Sequence, residues 1–262
     1  MTTRVVFLGT GTSFGIPQIG CRCRTCTSAD ARDRRSRCAV LVERGGRRLL
    51  IDTPPELRLQ LVAAGVDRVD AVLYTHAHAD HVHGIDDLRA LSVRAAAPLP
   101  AYGPAATMAE LAVKFPYVFD PTQMAPPGSS RPELTSMVLA PGERREIAGF
   151  PVLALQFPHG EQQVFGYRIG PLAYVTDVKE VPPATAAALQ DLDVLVLSAL
   201  FNRPHPLHLS ISEAVATARR LAARRTLLTH LTHETPHDEL AKSLPAGIEP
   251  AYDGLVIEVA GA

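Results

Sequence analysis

Short apolar runs recur along this chain, and many carry apolar residues at consecutive positions. Runs of this kind predict strands at Val5–Leu8, Ala39–Glu43, Arg48–Asp52, Ala71–Tyr74, Val152–Gln156, Phe165–Ile169, Leu172–Thr176, Val194–Ser198, Thr226–Thr229 and Leu255–Val259. Val194-Leu195-Val196-Leu197 has no polar alternation, as expected of a strand covered on both faces. Gly45-Gly46 and Gly170-Pro171 separate neighbouring runs and read as hairpin turns. Helices are announced by their starts. Ser210-Ile211-Ser212-Glu213 has the spacing of a capping box and predicts a helix to about Ala222. Thr235 before Pro236 predicts a capped helix start, Pro54-Pro55-Glu56 opens a helix through about Ala64, and Ala105–Lys114 reads as another. The Pro-rich stretch 115–132 reads as a long surface connection with room for a lid or a partner contact.

With 262 residues, 47% hydrophobic and 20% charged, the chain can bury a substantial core, and we expect one domain over 1–262. A net charge of −1 gives no support to a polyanion-binding surface, so a nucleic-acid partner is not expected. The first residues run straight into a strand pattern without a signal-peptide profile, and no apolar run has membrane-spanning length. We therefore expect a cytoplasmic protein, without membrane partners, whose four cysteines are reduced.

The most informative stretch is Thr75-His76-Ala77-His78-Ala79-Asp80-His81, directly after an apolar strand pattern. His76 and His78 are two apart and point the same way on extended backbone, whereas Asp80 and His81 are adjacent and must diverge. This suits two metal ions side by side, held by imidazole nitrogen and carboxylate oxygen, the donors of zinc, manganese or iron in hydrolytic sites. His159, Asp177 and His230 follow three later strand patterns, where functional residues of α/β proteins collect. Cys21, Cys23 and Cys26 are close enough to share one ion, and His233 is a spare fourth ligand for a tetrahedral structural zinc. Cys38 reads as a small buried apolar residue. Asp52 ends a strand and has two readings, orienting a ligand imidazole or capping the helix after Pro54. Gly9 and Gly11 read as a tight turn near the metals. The run Arg32, Arg34, Arg35, Arg37 reads as a solvated face, with attraction of an anionic substrate as the alternative. His83, His205 and His237 match no motif.

These residues carry a resemblance. His76, His78, Asp80 and His81 match the His-x-His-x-Asp-His signature of metallo-β-lactamase-fold hydrolases, and His159, Asp177 and His230 match the later ligands in order. Leu8-Gly9-Thr10-Gly11-Thr12-Ser13, Gly15-Ile16-Pro17 and the cysteine loop within 20–38 are similar to the phosphoribosyl cyclic phosphate phosphodiesterase branch. They are shared by pyrroloquinoline quinone biosynthesis proteins. The resemblance implies a four-layer αββα sandwich and, at the metals, His76, His78 and His159 on one ion. Asp80, His81 and His230 would hold the other, with Asp177 bridging. It also implies that His208 stands beside a leaving group, and it places His233 with the three cysteines. The expected cofactors are two divalent ions, Mn2+ or Zn2+, and one structural Zn2+. The expected activity is hydrolysis of a small or cyclic anionic phosphodiester by hydroxide held between the ions. A homodimer is compatible with the resemblance. The alternatives are a tRNA 3′-end endonuclease, for which no protruding arm is found, a thioester or lactone hydrolase, and a non-catalytic cofactor-pathway carrier.

Overall fold

Which strands form, and how they are covered, follows from apolar side chains on both faces. The structure is a computed structural model describing residues 2–260. Its strands in chain order are β1 Thr3–Gly9, β2 Ala39–Arg44, β3 Arg47–Ile51, β4 Ala71–Leu73, β5 Leu99–Pro104, β6 Leu134–Leu139 and β7 Arg144–Ile147. They continue with β8 Phe150–His159, β9 Gln162–Ile169, β10 Leu172–Val175, β11 Val194–Ser198, β12 Arg225–Thr229, β13 Ile248–Pro250 and β14 Val256–Val259. Two seven-stranded sheets result, in the orders β14-β1-β2-β3-β4-β5-β6 and β13-β12-β11-β10-β9-β8-β7. In the first, β14, β1, β2 and β3 pair antiparallel and β3 to β6 parallel. In the second, β7 to β10 pair antiparallel and β10 to β13 parallel.

Side chains alternate between two apolar environments. Val40 and Val42 of β2 face the layer between the sheets, together with Val152, Ala154, Phe165, Tyr167 and Val196 of the other sheet. Ala39 and Leu41 face outward with Leu57, Leu61, Leu88 and Leu111 of the helical layer. On the far side Leu153, Leu155, Leu195 and Leu197 pack with Ala214, Ala218 and Leu221 of the helix Ile211–Leu221. A strand buried on both faces needs no polar positions, which is why these runs lack alternation. The result is the expected αββα sandwich.

The ten predicted strands are present, with ends shifted by at most three residues. β5, β6, β7 and β13 were not predicted. β6 and β7 are edge strands whose exposed positions break the apolar pattern, and β5 and β13 contain prolines. The capping box forms, with Ser210 Oγ accepting from the Glu213 N–H and Glu213 accepting from the Ser210 N–H. Thr235 does not cap: the last helix starts at His237 and its N-cap is Pro236. The first long helix spans Leu57–Ala63 with Glu56 at its N-cap, so Asp52 lies too far upstream to cap it. The stretch 115–132 contains one short helix, Pro116–Phe119.

Two sequence readings of the N-terminal region are corrected. Gly9 and Gly11 do not form a tight turn, since Gly9 ends β1 and Gly11 makes bridges to Arg37 and Leu231. A β-carbon on Gly9 would stand 1.9 Å from the Arg37 carbonyl oxygen, so the requirement is close backbone approach. The arginine run is a solvated face only at Arg34, which is exposed. Arg35 is buried and donates to Thr10 Oγ1 at 3.1 Å and to His237 Nδ1 at 3.2 Å. Arg32 pairs with Asp30 and Asp238, and Arg37 with Glu56. Asp33 accepts from the His237 N–H at 2.7 Å, so the loop after the cysteines is tied to the C-terminal part of the chain.

His237 makes this tie pH-dependent. Burial, reinforced by Arg35 and Arg32, lowers its imidazole from the usual 6.5 to about 4. The unfolded chain therefore takes up a proton between these limits that the folded chain refuses, and stability falls as pH drops from about 6.5 to 4. We expect the urea midpoint of His237→Gln to change less between pH 7 and pH 4.5 than that of the wild type.

Candidate metal centre

Strand ends bring the candidate ligands together. β4 runs into His76, β8 ends on His159, β10 is followed by Asp177 and β12 by His230. Asp80 and His81 lie on the short helix Ala79–Val82. Asp52, Asp177 and His230 have φ of 63°, 56° and 57°, left-handed values that cost a non-glycine residue about 1–3 kcal/mol each. Each stands at or just past the end of a strand, where this conformation turns the chain sharply.

Asp177 sits at the centre. Its Oδ2 is 3.2 Å from His81 Nε2 and its Oδ1 3.2 Å from His230 Nε2. Asp80 Oδ2 lies 3.5 Å from His81 Nε2 and 3.8 Å from His230 Nε2. His76, His81 and Asp177 offer donor atoms within 4.8 Å of one another, as do Asp80, His81 and His230, and His159, Asp177 and His208. His78 enters none of these groups. It is exposed at the mouth, its ring centroid 4.5 Å from that of His76 and 5.4 Å from that of His159.

A network behind the cluster sets the tautomers. Asp52 is fully buried and accepts from the Thr75 N–H at 2.8 Å and from Thr75 Oγ1 at 2.8 Å. Its Oδ2 lies 2.7 Å from His81 Nδ1, which as donor leaves Nε2 as a lone pair toward Asp177 and Asp80. Thr75 Oγ1, having donated to Asp52, accepts from His76 Nδ1 at 2.9 Å and leaves His76 Nε2 free. Asp52 thus fills the orienting role read from the sequence. Thr75 was missed, since a threonine before a histidine carries no signal of its own. Lys114 was also missed; its Nζ donates to the Ala77 carbonyl at 2.8 Å and so braces the loop between His76 and His78.

The donor atoms fit metal ions. His76 Nε2, His81 Nε2, His159 Nδ1 and both nitrogens of His230 are buried without hydrogen-bond partners, a costly arrangement unless something else engages their lone pairs. The carboxylates and imidazoles of the cluster also shift one another's titration. Burial opposes ionisation of Asp177, but His230 and His81 outweigh it and hold the carboxyl well below its ordinary range. Asp80 is likewise lowered against burial, by His81 and His230. Burial lowers His76 and His159, while Asp177, Asp80 and Asp52 overcome burial at His81 and raise it.

The cysteine loop forms a second cluster. His233 Nδ1 is 3.3 Å from Cys21 Sγ and 3.4 Å from Cys23 Sγ and Cys26 Sγ. Zinc bonds of about 2.3 Å to sulfur and about 2.0–2.1 Å to nitrogen at a tetrahedral angle put S and N roughly 3.5 Å apart, so this set fits a structural zinc. Hydrogen bonds, foremost from the Cys26 N–H, lower the Cys23 thiol to about 6, and burial raises Cys26 to about 11. Cys38 is separate and buried, its thiol 3.2 Å from the Gly11 carbonyl.

Residues 47–231 match the family described as beta-lactamase superfamily domain. The chain belongs to this family. Over 99% of its length it is similar to the crystal structure of a diphosphatase from the PhnP family, with 39% identity, 98% of that chain covered and a TM-score of 0.91. It is a metallo-β-lactamase-fold hydrolase near that branch. The fold is shared with zinc-bound PqqB from Methylobacterium extorquens, at 21% identity over 98% of this chain and 100% of that one, TM-score 0.78. It is shared too with the short form of human tRNase Z, at 19% identity over 97% and 98% of the two chains, TM-score 0.67. Across 96% of its length the chain is 35% identical to an octanoyltransferase of Porphyromonas gingivalis, but it spans only 51% of that protein. No helix among the described residues is long and apolar enough to cross a membrane.

Two outcomes are expected here. Asp52→Asn removes the charge that holds the His81 tautomer and should weaken metal binding about 10–100-fold in a chelator competition. Cys23→Ser should lower bound zinc by one equivalent per chain in elemental analysis and depress the melting temperature, since a structural ion contributes to folding.

Proposed function

We propose that this protein hydrolyses a small or cyclic phosphodiester at a dinuclear centre. The observation that supports this most is Asp177, placed between two groups of unpartnered imidazole nitrogens with His208 on its open side. His76, His78 and His159 would hold one divalent ion and Asp80, His81 and His230 the other, with Asp177 between them. The donor set suits Zn2+ or Mn2+. Such ions supply Lewis acidity and an acidified water.

The chain's own groups do the rest. Asp52 and Thr75 keep the His81 and His76 Nε2 lone pairs aimed at the centre. His208 stacks on His230 with centroids 5.1 Å apart and an interplanar angle of 15°, and its Nδ1 faces Asp177 Oδ1 at 3.5 Å. Its Nε2 edge then meets the departing oxygen. Burial lowers this imidazole to about 3 against the pull of Asp177, so it is neutral at pH 7 in the free protein. An anionic phosphoryl group alongside opposes that shift, which couples its protonation to substrate binding. A positioned acid of this kind contributes about 10²–10⁴-fold.

A small anionic diester suits the mouth better than a nucleic acid, given the net charge of −1. Four free cysteines support a cytoplasmic location. Octanoyl transfer is not carried over, because the chain spans only half of the protein that bears that name.

Metal analysis paired with a chromogenic phosphodiester assay tests the reading. Asp80→Ala should lose metal and turnover together. His208→Ala should keep its metal while kcat falls about 10²–10³-fold. Full activity in the Asp80 variant, or faster turnover of thioesters, lactones or precursor tRNA than of any small diester, would refute it.

A further inference from the structure

The loop between β11 and the helix Ile211–Leu221 carries His208 and, three residues earlier, His205. Their ring centroids are 5.1 Å apart, with the planes tilted by 43°. His205 is half-buried, and its ring centroid lies 5.7 Å from that of Phe201. The Leu207 N–H donates to His205 Nδ1 at 3.2 Å. An accepting Nδ1 makes the neutral ring the Nε2–H tautomer, so its second nitrogen is a ready donor.

The neighbouring donors are committed elsewhere. Lys179 Nζ pairs with Glu213 at 2.7 Å. Arg203 pairs with Glu234 and lies over the Phe201 ring at 4.2 Å. Asn202 Nδ2 donates to Thr235 Oγ1 at 2.9 Å. Among the described residues His205 Nε2 has no hydrogen-bond partner, and it stands next to the imidazole placed at the departing oxygen. A substrate with its phosphorus at the metal centre and its leaving oxygen at His208 would send the rest of its leaving group past His205.

We propose that His205 is a specificity-determining residue, donating from Nε2–H to an oxygen on the leaving-group side and favouring a sugar or polyol over an aryl alcohol. This rests on the reading of His208 given above. A phenyl ring offers no acceptor at that place, whereas a sugar carries oxygens on the carbons next to the one that departs.

The test compares a ribonucleoside 2′,3′-cyclic phosphate with bis(p-nitrophenyl) phosphate on the metal-loaded wild type, H205A and H205Q. One lost neutral hydrogen bond corresponds to about tenfold, so kcat/KM of H205A should fall about tenfold more for the cyclic nucleotide than for the aryl diester. H205Q, which restores an N–H donor, should recover most of that difference. Equal losses on both substrates, or a glutamine variant no better than alanine, would overturn the proposal.

Calorimetry separates this from the parent reading, using a ribonucleoside 2′-monophosphate against phenyl phosphate. If the wild type turns over neither diester, the phosphodiesterase reading fails. His205 keeps its role only if H205A still weakens the sugar phosphate selectively, and equal binding losses would end that too.

Discussion

The site depends on one buried carboxylate. Asp52 has no exposure to water, and burial raises its pKa. What keeps it in place is a closed set of donors: the Thr75 N–H, Thr75 Oγ1 and His81 Nδ1. A buried charge is tolerable only when its lone pairs are engaged in this way. In return it fixes the direction of the His81 imidazole and, through Thr75, of His76. The left-handed backbone at Asp52 is part of the same constraint, because an extended residue there would continue the line of β3.

The same loops that form the centre connect the two sheets. Thr75 accepts from the Phe165 N–H at 2.9 Å, and the Tyr167 hydroxyl donates to the Tyr74 carbonyl at 2.6 Å. The Leu231 N–H donates to the Thr10 carbonyl at 2.9 Å, joining the segment after His230 to the Gly-rich opening. The cysteine cluster uses that segment again, since His233 lies three residues beyond His230. Strain at Asp177 and His230 is therefore held by a framework anchored on both sides, which is how left-handed non-glycine residues persist at such places.

His208 and His205 share one loop but stand in different surroundings. One is packed between His159 and His230 and faces Asp177. The other lies outside it, in a fixed tautomer. In the reading proposed above, the ligands would hold the phosphoryl group and the loop 199–209 would select what hangs from it. Loops placed by rigid strands can vary in this way without disturbing the centre.

The sequence by itself determined an α/β chain with many strands and the shortlist of donors, and its motifs carried the resemblance that implied the layered sandwich. Runs such as Val194–Leu197 carry the doubly buried strands, and His76-x-His78-x-Asp80-His81 is local enough to be read directly. Edge strands such as β7 were illegible, because their exposed positions remove the periodic signal. Only the tertiary structure decided the roles that depend on distant partners. It made Asp52 an orienting group and not a cap, buried Arg35 against His237, and set His205 beside His208. Hydrogen-bond direction, burial and tautomer are properties of pairs far apart in the chain, so no local pattern encodes them.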